Sequence, residues 1–407
     1  MPRTPLGVGV IGAGAFAHFV ADSMAALPGL SLTAVCDQDR RRATHLAQLH
    51  DAAVCPDLVA LLATPGLDAV VIATPPSTHA ALATACLSAG VHVFCEKPAA
   101  LDPADLPVIA QAQSVSGAVY AVDHVIHYNP LIWLLKRLGD AGVLEPVRRF
   151  VFENDAGDSN LGPDHWFWQP SISGGIFLEH AVHFFDVARF LINSPEQSVQ
   201  STHWLRPTGQ EDTVVATVQH ESGAIATHAH SFSHDNTTER QLMRLDFGYA
   251  EARLNGWIPL DLRLEMWLDD ARYSTVRQVL AEPSWLALPG YRPTGGQTIR
   301  LSLLPPQASQ LRTRDVTETR PHHVLLEAQL GTPEQKPQVY AESVRAALTD
   351  FAASIKSGAH PLVGLDEAGN AVRVAWAASQ NEARAALSLA TLAPAPAGSP
   401  VSPTRPR

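Results

Sequence analysis

The first 125 residues alternate short apolar, β-rich runs with Ala/Leu-rich stretches, and no other feature constrains the fold as tightly. The spacing predicts strands at Leu6–Ile11, Leu30–Cys36, Ala69–Ala73, Val91–Cys95 and Ala118–Val122. Between them Ala15–Leu27, Arg40–His50, His79–Ala89 and Pro103–Gln113 have helical character. Short connections from strand to helix to strand leave little topological freedom. Parallel strands need a crossover, and crossover helices cover both faces of the sheet. Residues 1–125 are therefore expected to form a doubly wound parallel α/β domain.

After Asp123 the pattern changes. Pro130–Asp140 reads as one amphipathic helix, and Phe177–Asn193 as another. Strand candidates follow one another at Val147–Glu153, Gln197–Leu205, Thr213–His220, Ala224–Ser231 and Gln241–Phe247, with the hairpin signal Glu221-Ser222-Gly223 between two of them. Strands in succession predict a second α/β domain over 126–390, built on a large, open and mostly antiparallel sheet. Residues 270–335 are rich in Pro, Gly and Gln and give no clear periodicity. Val339–Lys356 and Gly369–Ala386 read as helices, the second packing back on the first domain. The Ala-, Pro-, Ser- and Gly-rich segment 391–407 is expected to be a disordered tail.

A chain of 407 residues exceeds one ordinary core, in keeping with two domains. With 46% apolar and 17% charged residues it has the composition of a soluble globular protein. A net charge of −11 supplies no basic surplus for nucleic acid. Four cysteines, Cys36, Cys55, Cys86 and Cys95, lie in apolar surroundings without zinc spacing and read as free thiols in a reducing compartment. No apolar run approaches a bilayer span, and the N-terminus has no cleavable signal pattern, so a cytoplasmic protein without membrane contact is expected.

Gly12-Ala13-Gly14-Ala15-Phe16-Ala17 stands where the first strand must turn into the first helix. Gly12 permits the tight turn, Gly14 lets the main chain approach a pyrophosphate, and Ala17 is small enough for close helix–strand packing. Ala15 and Phe16 open the helix whose N-terminus would face that pyrophosphate. The second half of the pattern is Asp37, 25 residues after Gly12, placed to accept hydrogen bonds from the adenine ribose. That carboxylate favours NAD, whereas Arg40, Arg41 and Arg42 would suit a 2′-phosphate and leave NADP open. Ala73-Thr74-Pro75 and His79 belong to a loop expected to line the nicotinamide side, and the same loop reads equally as a proline-capped helix start.

Glu96-Lys97-Pro98 ends the strand Val91–Cys95. A lysine there projects into the crevice where open α/β sheets bind ligands, beside the dinucleotide. Glu179 and His183 lie four apart in the segment Gly174–Asp186, on one predicted helix face, and imidazole is the natural general acid/base near neutral pH. Glu179 would orient His183 or hold a substrate hydroxyl. Glu179, His180 and His183, with His228, His230 or His234, also make a metal conceivable. Adjacent helical residues diverge, however, and the segment does not match His-Glu-x-x-His, so no metal is expected.

Taken together, Val10–Gly14, Ala73–His79, Gly90–Pro98, Tyr128-Asn129-Pro130 and Gly174–Asp186 resemble the glucose–fructose oxidoreductase/inositol dehydrogenase/MocA (Gfo/Idh/MocA) family, over Val8 to about Arg384. The resemblance implies a Rossmann domain followed by a domain whose open sheet often mediates homo-oligomerisation as dimer or tetramer. It implies an NAD(P)-dependent oxidoreductase moving a hydride between nicotinamide and a secondary alcohol or ketone of a sugar, cyclitol or related polyol. In family terms Lys97 and His183 are catalytic, with Glu179 beside them, and Glu96 and Lys97 border the cofactor. His127, Tyr128, Trp166, Trp168 and His180 are the substrate-side candidates, the tryptophans as stacking platforms or core. Glu179 replaces the usual aspartate, Ala181 a glycine, and His127 an arginine. Two alternatives share these residues: a redox-neutral glycosidase with tightly held NAD, and a non-catalytic cofactor-responsive sensor.

Overall fold

The computed structural model describes residues 5–235, 237–281, 286–288, 290–293, 295–305, 310–312, 317–380 and 387–388. The 391–407 segment lies outside the described residues. The first sheet contains β1 (Leu6–Ile11), β2 (Leu30–Cys36), β3 (Ala53–Cys55), β4 (Ala69–Ile72), β5 (His92–Cys95) and β6 (Tyr120–Val122). Its order is β3-β2-β1-β4-β5-β6 and every pairing is parallel. The doubly wound parallel sheet read from the sequence is present. The central strand β4 is buried along its whole length, as a strand covered on both faces must be. The covering helices are α1 (Ala15–Ala25), α2 (Arg40–Leu49), α3 (Leu58–Leu62), α4 (His79–Ser88) and α5 (Leu106–Ser116). The short pair β3 and α3 has no counterpart in the sequence reading. Three strand residues and five helical ones are too few to show a period.

The second sheet has ten strands: β7 (Arg149–Gly157), β8 (Glu196–Leu205), β9 (Glu211–His220), β10 (Ile225–His234), β11 (Arg240–Asp246), β12 (Ala250–Asn255), β13 (Asp261–Leu268), β14 (Thr298–Leu303), β17 (His322–Gln329) and β18 (Leu387–Ser388). The strands β15 (Gln310–Arg312) and β16 (Thr317–Thr319) pair separately. The order is β14-β17-β13-β12-β11-β7-β10-β9-β8-β18, antiparallel except between β7 and β10. The large, mostly antiparallel second sheet is thus as expected. Burial alternates along β9, β12 and β13, so one sheet face is core and the other faces outward. Residues 270–335, unread in the sequence, supply one helix and two of these sheet's strands, β14 and β17.

The remaining helices are α6 (Pro130–Asp140), α7 (Pro170–Ser173), α8 (Val182–Ile192), α9 (Asp270–Leu280), α10 (Lys336–Ser357) and α11 (Leu365–Ser379); α8 packs on β7 and β10, α9 on β13 and α11 on β8, while α10 packs on α1 and β5 of the first sheet's domain. On α8, Phe184 stacks on Phe152 of β7 at 3.5 Å between ring centroids. Helix α11 begins at Leu365, earlier than the Gly369 expected, because the Glu367 carboxylate reaches back to accept from Gly364 N–H at 3.0 Å and satisfies one of the donors at its start. One continuous apolar cluster joins both sheets, so the two halves hold a fixed crevice between them. No described helix is long and apolar enough to cross a membrane.

Candidate active site

The crevice encloses about 1020 Å³ at the carboxyl ends of β1, β4, β5 and β6. Strand order reverses between β1 and β4, which is where such sheets bind ligands. At one end the wall is backbone. Gly12 has φ +93°, its N–H donates to Cys36 O at 2.8 Å, and a Cβ there would stand 2.7 Å from Ala73 O. Only glycine fits that turn. A Cβ on Gly14 would meet nothing within 4 Å, so open space lies over the main chain. Helix α1 starts directly after it, with no side-chain cap and no acid in its first turn. Its first N–H groups are left to an anion. Asp37 accepts from Ala13 N at 2.6 Å and from Asp39 N at 2.7 Å, and each oxygen retains a lone pair. Glycine turn, open approach, bare helix N-terminus and held acid together fit a dinucleotide.

At the other end the wall is made of side chains from distant segments. Lys97 Nζ donates to the Glu179 carbonyl at 2.5 Å and to Glu179 Oε1 at 2.8 Å. Lys97 N–H donates to Glu96 Oε2 at 2.7 Å, and the Lys97–Pro98 peptide is cis. Glu179 is delivered by a glycine turn: Gly175 has φ +84°, and Glu211 Oε2 accepts from Ile176 N at 2.7 Å to anchor it. The chain then makes a π-helical turn over Phe177–Ala181 before α8 begins. Such turns recur at functional sites because they re-aim side chains. His180 and His183 line the same crevice, as do Asp123, His165, Trp166, Trp257 and Tyr340.

Charge at this end is strongly biased by burial. Burial alone would lower the Lys97 pKa, but Glu179 and Glu96 outweigh it and hold the ammonium charged. Burial would raise Glu179, yet Lys97 keeps it below the usual carboxylate range. Glu96 is pushed up to about 7 by burial, partly offset by Lys97. His183 lies well below the ordinary imidazole value, first through burial and then through the Lys97 charge. His180 falls to about 4, again chiefly through burial. His183 is thus neutral, and its Nδ1 meets no partner among the described residues. An ammonium has three donors, and two are directed at Glu179, so one remains for a ligand oxygen.

Residues 6–124 match an oxidoreductase family with an NAD-binding Rossmann fold, and residues 132–245 match the GFO/IDH/MocA C-terminal domain. The chain belongs to the GFO/IDH/MocA family. Among curated relatives, inositol 2-dehydrogenase 1 of Saccharopolyspora erythraea is 35% identical over 192 residues, covering 46% of this chain and 54% of that protein. The scyllo-inositol 2-dehydrogenase (NAD(+)) of Bacillus subtilis is 28% identical over 243 residues, covering 56% of this chain and 69% of its own. The match thus spans only about half the length of the first relative. A levoglucosan dehydrogenase, solved with NADH and levoglucosan, superposes with a TM-score of 0.70 at 17% identity, covering 92% of this chain and 96% of that one. That likeness shows a shared fold.

Of the residues marked in the sequence of this GFO/IDH/MocA chain, most meet in the crevice. Gly12, Gly14, Ala15, Phe16, Asp37, Ala73, Thr74, Pro75, Glu96, Lys97, Trp166, Glu179, His180 and His183 all line it. Others do not. Ala17 is fully buried behind the turn. Arg41 points outward with its side chain 94% exposed, and Arg42, one residue further round α2, lines the wall instead. His79 lies beneath the wall, its ring nitrogens 2.8 Å from Pro98 O and 2.7 Å from Thr74 O, bridging two loops. Trp168 is core: its indole N–H donates to Leu161 O at 3.1 Å and Arg206 stacks 4.6 Å from its ring. Tyr128 is buried and donates to Asp350 Oδ2 at 2.9 Å. His127 is buried with Nδ1 2.9 Å from Asp186 Oδ2. Glu179 partners Lys97 rather than orienting His183, because the π-turn rotates it toward β5. Asp123, Trp257 and Tyr340 escaped the sequence reading. Asp123 ends β6, and the strand-end argument applied to Lys97 would have found it. No local signal marks the other two.

Proposed function

We propose that this protein is an NAD(P)-dependent oxidoreductase that transfers a hydride between nicotinamide and a secondary alcohol or ketone of a sugar, cyclitol or related polyol. The observation that carries this reading is the convergence of Lys97, Glu179 and His183 in a crevice whose other end fits a dinucleotide. The names of curated relatives, inositol dehydrogenases among them, support the polyol class. When bound, nicotinamide supplies the hydride acceptor or donor. Lys97, charged and fixed by Glu179, donates its third N–H to the substrate oxygen and stabilises negative charge developing there. Neutral His183 takes the hydroxyl proton during oxidation and returns it during reduction. Glu179 holds the lysine in place and keeps it protonated. Trp166, half-buried on the wall, offers an apolar face to a ring. Asp37 favours NAD, with Arg42 on hand for NADP.

The outward face of the second sheet is the surface we propose for homo-oligomerisation, and four free buried thiols suit the cytoplasm. The test is a panel of sugars, cyclitols and polyols read as the absorbance of reduced nicotinamide. Turnover of at least one secondary alcohol is expected. His183→Ala should lower kcat by about 10²–10⁴-fold while the NAD Kd stays near the wild-type value. Unchanged turnover in that variant sinks the mechanism.

A further inference from the structure

His165 lines the crevice next to Trp166, and the steps proposed above give it no task. Its ring is fixed by the short helical turn Trp166–Trp168, which it caps: Phe167 N–H donates to His165 Nδ1 at 3.2 Å. The main chain is held as well, His165 N–H donating to Gly162 O at 2.9 Å and Trp168 N–H to His165 O at 3.1 Å. Accepting at Nδ1 places the ring proton on Nε2, and a charged ring would carry one there too. Nε2 is therefore a donor in either charge state. It has no partner among the described residues, and unlike His180 Nε2 and His183 Nδ1 it is not sealed from water. Glu179 is close enough to interact electrostatically with His165, which puts this donor at the reacting end of the crevice. The Trp166 ring lies 5.3 Å from the imidazole, tilted by 36°.

An aromatic face beside a fixed N–H suits a sugar or cyclitol ring, whose C–H face packs on the indole while an oxygen at its edge meets the donor. We infer that His165 is a specificity-determining residue: its Nε2–H donates to a hydroxyl oxygen of the ring lying on Trp166, at a carbon other than the one exchanging the hydride. The reacting oxygen is already served by Lys97 and His183. The inference rests on the polyol reading and deepens it, because it demands a second oxygen on the substrate. A hydroxyl at that position accepts the bond. A hydrogen in its place leaves the donor unmet, and an ammonium sets donor against donor.

The experiment takes the best ring substrate of the panel together with its monodeoxy and monoamino analogues, assayed at neutral pH with saturating NAD. At one position besides the reacting carbon, loss of the hydroxyl should lower wild-type kcat/KM by about 10-fold, chiefly through KM, and an amino group should cost at least as much. His165→Asn separates this role from capping. Its carboxamide oxygen can still accept from Phe167 N–H, but the side chain is too short to reach where Nε2 stands. In that variant the deoxy penalty should shrink to about two-fold or less, with Tm and NAD Kd near wild type. His165→Phe loses both roles, so the penalty should vanish and the Tm should fall. A full deoxy penalty retained in His165→Asn would leave His165 a helix cap alone and overturn the inference. So would a raised NAD Kd with the penalty unchanged, which would assign the donor to the cofactor. Both outcomes leave the polyol reading standing. If no sugar, cyclitol or polyol is turned over by the wild-type protein, that reading falls and this inference with it.

Discussion

The two ends of the crevice are built on opposite principles. The phosphate end is backbone: Gly12, the open approach over Gly14 and the bare start of α1. Its parts lie within a few residues of each other, and its chemistry needs side chains to be absent. The reacting end is side chains from separate stretches of chain, Lys97 after β5, Asp123 after β6 and the Glu179–His183 segment between β7 and β8 of the second sheet. Lys97 and its partner Glu179 are 82 residues apart. One end depends on local conformation, and the other depends on two sheets staying in register across a shared core. Damage to the first should appear in cofactor affinity and stability, and damage to the second in turnover.

The sharpest way to break this contrast is Lys97→Ala. We expect kcat/KM to fall by about 10³-fold or more while NAD affinity changes only a few-fold, measured by steady-state kinetics and by NADH fluorescence titration. An equal loss in both would erase the distinction between the ends. Next in size is acid destabilisation, which belongs to the reacting end and the layer beneath it. Burial holds His124 and His180 at about 4 and His228 at about 3, with His183 and His230 also well below the ordinary value. In the unfolded chain these imidazoles take up protons below about 6.5, while in the fold they stay neutral. Stability is therefore full above about pH 6.5 and declines as pH falls toward 4, each histidine contributing up to about 1.4 kcal/mol per pH unit. Glu96 and Asp123, whose folded pKa values are raised, act in the opposite sense, but they are outnumbered. Calorimetric unfolding at pH 5 and pH 7.5 should show a clearly lower Tm at pH 5.

Gly12→Ala tests the backbone end. A φ of +93° and a Cβ 2.7 Å from Ala73 O should cost about 1–3 kcal/mol of stability and weaken NAD binding. A stable variant with wild-type NAD affinity would show that the turn is not what holds the cofactor. The smallest effect is a paired comparison of Trp166→Phe and Trp168→Phe. Trp168 loses the bond to Leu161 O, about 1 kcal/mol of stability, with no change in KM. Trp166, on the crevice wall, should alter KM and leave the Tm near wild type.

The same contrast explains which features could be read from the chain. The parallel sheet, the glycine turn, Asp37 and the strand-end Lys97 follow from period and local chemistry, because backbone conformation is set mainly by near neighbours. The short β3–α3 unit and the strands within 270–335 did not, since neither presents a long enough period. Which of two near neighbours faces the crevice was also illegible. Arg41 and Arg42 differ by a fraction of a helical turn, and Trp166 and Trp168 by one tight turn.

By itself, then, the sequence determined the α/β architecture, the dinucleotide turn and the residue types able to move a proton and a hydride. Tertiary structure alone decided that Glu179 grips Lys97, that Tyr128 is tied to Asp350 from 222 residues away, and that Asp123 is buried at the crevice wall. The reason is physical. Local backbone preferences act over a few residues, whereas burial, which sets the charge of every group in this site, exists only once both sheets have closed over it.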